Sequence, residues 1–122
     1  MKKLSLSRKS GENLDENVNR TVIRGSSLEF IKYSYAPGST FPVHSHPSEQ
    51  MTLVAKGKLV IQTPKTDPPR REMIKPGELI VIPSGETHGA SVPEDCEETV
   101  TYNVFSPVRD ELPGEEVTEN SD

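Results

Sequence analysis

Eleven prolines and eight glycines cut this 122-residue chain into pieces too short for helices of useful length. Proline removes a backbone donor and glycine destabilises regular elements, so both punctuate the chain into turns. Between them run β-branched and apolar stretches of strand length. The spacing predicts strands at Thr21–Ile23, Leu28–Ala36, Gln50–Ala55, Lys58–Gln62, Arg71–Ile74, Glu78–Ile82, Gly89–Val92 and Thr99–Phe105. The proline-rich segment Thr63–Arg70 is unsuited to a central strand and reads as a hairpin connection. Closely spaced strands without a repeat period imply an all-β sandwich or barrel, closure being the way such a sheet removes its edges.

Charge separates a core from its ends. The net charge is -5, but residues 110–122 carry acids and no base, while residues 1–20 lean basic. The expected organisation is a polar, partly mobile N-terminal segment over 1–20, a barrel over 21–109 and an acidic C-terminal tail over 110–122. With too little apolar surface to offset ordering entropy, both ends are expected to be mobile at least in part. The near-neutral middle offers no basic strip to neutralise phosphates, which argues against a nucleic-acid partner. Its longest apolar run, Leu79–Ile82, is far short of the roughly 20 residues that span a bilayer. The start of the chain lacks the apolar region of a secretory signal, and one cysteine, Cys96, forms no internal disulfide, so the expected compartment is the cytoplasm. The carboxylates flanking Cys96 disfavour its thiolate, and it is expected to be inert. So small a core is marginal alone, and a homodimer is expected.

The three histidines, His44, His46 and His88, lie at turn and strand junctions. In an extended chain His44 and His46 share a face, and the same parity carried past Pro47 and Ser48 adds Gln50 and turns Glu49 away. A bulge at Pro47–Ser48 would exchange Gln50 for Glu49. Two imidazoles on one face plus a third from a distant strand make half of an octahedral shell, suited to Zn, Cu, Fe, Ni or Mn. Along Thr99–Phe105 the same alternation puts Thr99, Thr101, Asn103 and Phe105 on one face. Tyr33 and Tyr35 share a face with Ile31, which favours barrel packing or a dimer contact over ligand stacking.

Two spacings resemble a known family. Gly38, His44, His46, Gln50 and Gly57 fit the first cupin motif, G(x)5HxH(x)3E(x)6G, with glutamine at the glutamate place. Gly77, Pro83, Gly85 and His88 fit the second, G(x)5PxG(x)2H, except that Val92 stands at its final asparagine. The resemblance implies a cupin double-stranded β-helix, a jelly-roll barrel, with one divalent metal ion (Mn, Zn, Ni or Fe) held by His44, His46, Gln50 and His88. Three imidazoles and a carboxamide leave the ion its full charge, which favours Lewis-acid over redox chemistry.

A narrower likeness lies in HSHPSEQ, IPSGETHGA and the segment Val104–Arg109. These are similar to the small pectin-degradation cupins that linearise 4,5-unsaturated uronates. The resemblance implies that Phe105 and Arg109 hold a carboxylated small molecule, Arg109 through a bidentate contact. It places Asn103 where the subgroup has an aspartate, and a carboxamide cannot act as a general base. The expected activity is therefore ring opening or enolisation of a small sugar-acid or carbonyl ligand with Lewis-acid assistance. The alternatives are a metal-containing binding module without catalysis, or a metal-dependent dioxygenase.

Overall fold

The computed structural model describes residues 1–6, 12–13, 17–108 and 115–116. Arg109 and the expected acidic tail lie outside the described residues, except for one short strand. The strands are β1 (Glu12–Asn13), β2 (Val18–Arg24), β3 (Glu29–Tyr35), β4 (Thr40–His44), β5 (Glu49–Lys56), β6 (Leu59–Thr63), β7 (Arg70–Ile74), β8 (Leu79–Ile82), β9 (His88–Ser91), β10 (Thr99–Ser106) and β11 (Glu115–Glu116). Two sheets face each other. The larger runs β1-β2-β3-β10-β5-β8, with β11 beside β2, and the smaller runs β4-β9-β6-β7. Every pairing is antiparallel but that of β11 with β2. The fold is thus the expected all-β jelly roll.

Strict alternation builds the core. Strands β3 and β10 bury every second residue, and Ile31, Val54 and Phe105 are almost wholly enclosed. Each such side chain contributes about 1.5–3 kcal/mol relative to exposure. Tyr33 and Tyr35 are buried in this core and stack at 5.5 Å. Burial and the neighbouring Tyr33 push the Tyr35 hydroxyl above its ordinary range, and a hydrogen bond with Thr101 pulls partly back. Cys96 packs against the core edge, its Sγ within hydrogen-bonding reach of the Pro93 and Glu97 carbonyls.

Besides the two-residue strands β1 and β11, which fall in the segments expected as polar tails, two strands of the barrel depart from the sequence expectation. Strand β2 begins at Val18, ahead of Thr21, because Val18 and Arg20 continue its inward alternation and pair with Tyr35 and Tyr33. Strand β4 was not expected at all, since Pro42 sits in its middle. It is tolerated because β4 is an edge strand and the register against β9 shifts between Phe41 and His44, so Pro42 lies in a bulge. The Thr63–Arg70 segment does connect a hairpin, β6 to β7.

Candidate metal centre

The bulge in β4 decides where His44 points. Phe41 pairs with Ala90 and His44 with His88, so three steps on β4 oppose two on β9. Without the extra residue Phe41 and His44 would face opposite ways. With it both reach one cavity, their rings 5.6 Å apart. His88, at the start of β9, stands directly across from His44.

His46 lies beyond the end of β4, on a loop held from two sides. Gly85 N–H donates to the His46 carbonyl at 2.9 Å, and Ser84 Oγ donates to the Pro47 carbonyl at 2.6 Å. Ser48 Oγ donates to the Pro107 carbonyl at 2.6 Å, fastening the loop to the chain after β10. Thereafter β5 resumes alternation, with Gln50 buried and Glu49 exposed.

One nitrogen of each histidine lies within 4.8 Å of those of the other two. The rings gather with centroids 4.6–5.3 Å apart. The Nδ1 atoms all face backbone carbonyls: His44 at 2.9 Å from Pro42 O, His46 at 2.9 Å from Ser48 O, His88 at 2.8 Å from Glu86 O. A carbonyl only accepts, so each Nδ1 carries the proton, and in the neutral ring each Nε2 is left a lone pair. This is the tautomer that ligating histidines adopt.

Gln50 completes the cluster. Its Oε1 lies 3.1 Å from His46 Nε2. Two lone pairs so close need a cation between them, a proton or a metal. Adjacent ligands at right angles, each about 2.1 Å from an ion, stand about 3.0 Å apart. The donor set therefore fits a divalent metal, and the three histidines could hold one.

Beside the histidines lies a small cavity of about 30 Å3, partly open to solvent. Tyr33, Tyr35, Phe41, Leu59, Ile61 and Phe105 give it mostly apolar walls. Phe105 meets the His46 ring edge to face at 5.5 Å. Asn103 reaches the same wall, but its polar atoms are engaged. Its Nδ2 donates to the Ile31 carbonyl at 3.0 Å and to Thr101 Oγ1 at 2.9 Å, while Oδ1 accepts from Thr52 Oγ1 at 2.6 Å. Thr52, absent from the sequence-based candidates, joins Asn103 to Gln50, whose Nε2 donates to Thr52 Oγ1 at 2.8 Å. The residues brought together are thus His44, His46, Gln50 and His88, with Phe105 beside them and Asn103 two hydrogen bonds behind Gln50, through Thr52.

Residues 31–105 match the family model of the cupin domain. No curated protein sequence matches the chain. In fold the chain is similar to KdgF from a Halomonas species, with a TM-score of 0.77 at 19% identity over 89% of this chain and 96% of that one. It is similar to an RmlC-like cupin from Shewanella frigidimarina, with a TM-score of 0.76 at 19% identity over 88% of this chain and 91% of that one. It is also similar to an oxalate oxidase solved with the substrate analogue glycolate, with a TM-score of 0.70 at 22% identity over 85% of this chain and 58% of that one. At these identities the likeness is one of fold.

Proposed function

The chain belongs to the cupin family, and on that premise we propose that it holds one divalent metal ion through His44, His46, Gln50 and His88 and acts on a small ligand bearing a carbonyl or carboxylate oxygen. The observation that carries this reading is the gathering of the three histidines, one ring nitrogen of each within 4.8 Å of those of the others, with every Nδ1 anchored on a backbone carbonyl and the Gln50 oxygen beside His46 Nε2. Bound there, the ion would supply Lewis acidity, polarising a ligand oxygen with a charge that four neutral donors leave undiminished.

The chain's own residues define the rest of the site. Phe105 and Phe41 flank the histidines and give the ligand's side apolar walls. Within the proposed class, the motif HSHPSEQ and the succession Phe105, Ser106, Pro107, Val108, Arg109 favour a sugar acid of the unsaturated-uronate kind, with Arg109 as its carboxylate partner. The second reading, a binding module without turnover, is favoured by Asn103: a carboxamide with both donor and acceptor engaged takes no proton from a ligand.

A homodimer fits the outer face of the larger sheet. Register aligns Phe30, Val104, Met51 and Val81 in one row across β3, β10, β5 and β8, and Tyr102, Leu53 and Leu79 in the next. Met51, Leu79, Val81 and Val104 are exposed. An exposed face of this kind, apolar but for Lys32 at the end of the second row, can cover itself across a two-fold axis. A lone cysteine suits a cytoplasmic setting.

Metal analysis of protein purified without chelator tests the centre. One ion per chain is expected, lost in His88→Ala. Failure to take up Mn, Fe, Co, Ni or Zn at stoichiometry would overturn the reading. Loss of absorbance from an unsaturated uronate then separates turnover from binding alone.

A further inference from the structure

Glutamine differs from glutamate as a ligand in one respect that matters here. A carboxylate offers an oxygen whichever way it rotates, whereas a carboxamide offers an oxygen one way and an NH2 donor the other. Turned by half a revolution about its last bond, Gln50 would present N–H groups to His46 Nε2 and to any cation. Something must hold it oxygen first.

The holding runs back through three buried side chains to the main chain. The Ile31 carbonyl can only accept, so the group of Asn103 facing it is Nδ2, at 3.0 Å. That sets Asn103 Oδ1 toward Thr52 Oγ1, and an amide oxygen only accepts, so the Thr52 hydroxyl proton goes to Asn103 at 2.6 Å. With its proton committed, Thr52 Oγ1 accepts from Gln50, which turns Gln50 Nε2 toward it at 2.8 Å. Gln50 Oε1 is then left facing His46 Nε2. Register makes this compact: Ile31, Asn103 and Thr52 are direct partners across β3, β10 and β5, and Thr52 follows Gln50 on the same face of β5. Thr52 and Asn103 are 1% and 2% exposed, so bulk water does not compete for these bonds.

We infer that Thr52 and Asn103 are positioning residues that lock the Gln50 carboxamide with its oxygen toward the three histidines. The inference rests on Gln50 as a metal ligand, and it assigns Asn103 a role other than contact with the ligand. An aspartate at 103 would still accept the Thr52 proton, so it would keep Gln50 oriented, but it would leave the Ile31 carbonyl without its donor.

The test is a double-mutant cycle read by metal affinity and by the visible spectrum of the cobalt-loaded protein. Thr52→Val keeps the shape and removes the hydroxyl. It is expected to weaken cobalt binding about 10- to 100-fold, the usual effect of losing an outer-sphere partner, and to shift the spectrum toward that of Gln50→Ala. Thr52→Ser should restore both. In a Gln50→Glu background Thr52→Val should change affinity less than about threefold, since a carboxylate needs no orienting. A wild-type spectrum and affinity in Thr52→Val, or an equal loss in both backgrounds, would overturn the relay.

Gln50→Ala distinguishes the two levels. If it alone changes nothing, Gln50 is not a ligand and the proposed centre fails there. The metal-free protein reads the relay independently: the Gln50 side-chain amide protons should exchange slowly with solvent by NMR, and faster in Thr52→Val. Rapid exchange in the wild-type protein would sink the relay whatever the metal does.

Discussion

Replacing Asn103 by aspartate separates two accounts of that position. If the residue is a catalytic acid lost by substitution, Asn103→Asp should restore turnover of an unsaturated uronate. The structure predicts damage instead. Asn103 is 2% exposed and donates both Nδ2 protons, to the Ile31 carbonyl at 3.0 Å and to Thr101 Oγ1 at 2.9 Å. Thr101 can rotate its hydroxyl to donate, at the expense of its bond with Tyr35. The Ile31 carbonyl cannot, and a carboxylate oxygen would stand against it with no proton between. One buried polar group left unsatisfied costs about 1–3 kcal/mol, and burying a carboxylate with incomplete partners adds a comparable amount. A loss of about 3 kcal/mol at neutral pH follows, or a fall of roughly 10–15 °C in melting temperature for a chain of this size. Urea unfolding followed by circular dichroism measures the first, and thermal unfolding the second. A variant as stable as the wild-type protein would refute the reasoning, and one that also consumed the uronate would establish the opposite account.

Two further outcomes follow from other parts of the fold. Gly57→Ala should abolish soluble expression or cost more than about 3 kcal/mol, because Gly57 has φ +79° and an added Cβ would collide with Thr99 Oγ1 and lie 2.7 Å from both the Glu98 carbonyl and Thr99 Cα; a variant that unfolds at wild-type urea concentrations would show that β10 can yield there. Met51→Lys combined with Val104→Lys should convert a dimer to a monomer by analytical ultracentrifugation while leaving the cobalt spectrum unchanged, since both side chains point away from the cavity; a wild-type protein that is already monomeric at tens of micromolar would remove the outer face as an interface.

The sequence makes the inward face of β10 and the choice of Gln50 over Glu49 legible for one reason, that strand alternation needs no knowledge of partners. Strand β4 was illegible for the converse reason. Pro42 marks it as a loop, and only its edge position beside β9 shows how a proline is accommodated. The same bulge explains why parity from His44 is a poor guide upstream: Phe41, an odd number of residues away, reaches the cavity with it. Thr52 was missed because a threonine within a strand carries no signal beyond β propensity. Its meaning appears when β10 is laid beside β5 and Asn103 falls opposite.

These two failures of reading concern the same physical point. A metal ligand set can be guessed from donors at a given spacing, but the direction in which a donor's lone pair faces is set by partners remote in sequence. The histidines solve this locally, each Nδ1 bonding a carbonyl two residues away, so their competence is written near them in the chain. Gln50 too has a partner two residues on, Thr52, but a hydroxyl can donate or accept and so does not by itself choose an end of the carboxamide. That choice is made by Asn103, 51 residues beyond Thr52, which takes the Thr52 proton and is itself turned by the Ile31 carbonyl, 72 residues back along the chain. A substitution of glutamate by glutamine at a ligand position is therefore only half of a change, and the other half is a buried polar partner that tells the carboxamide which end to present. Here a side chain that reads as a lost catalytic acid supplies it, which is why the amide at 103 and the amide at 50 are best understood together.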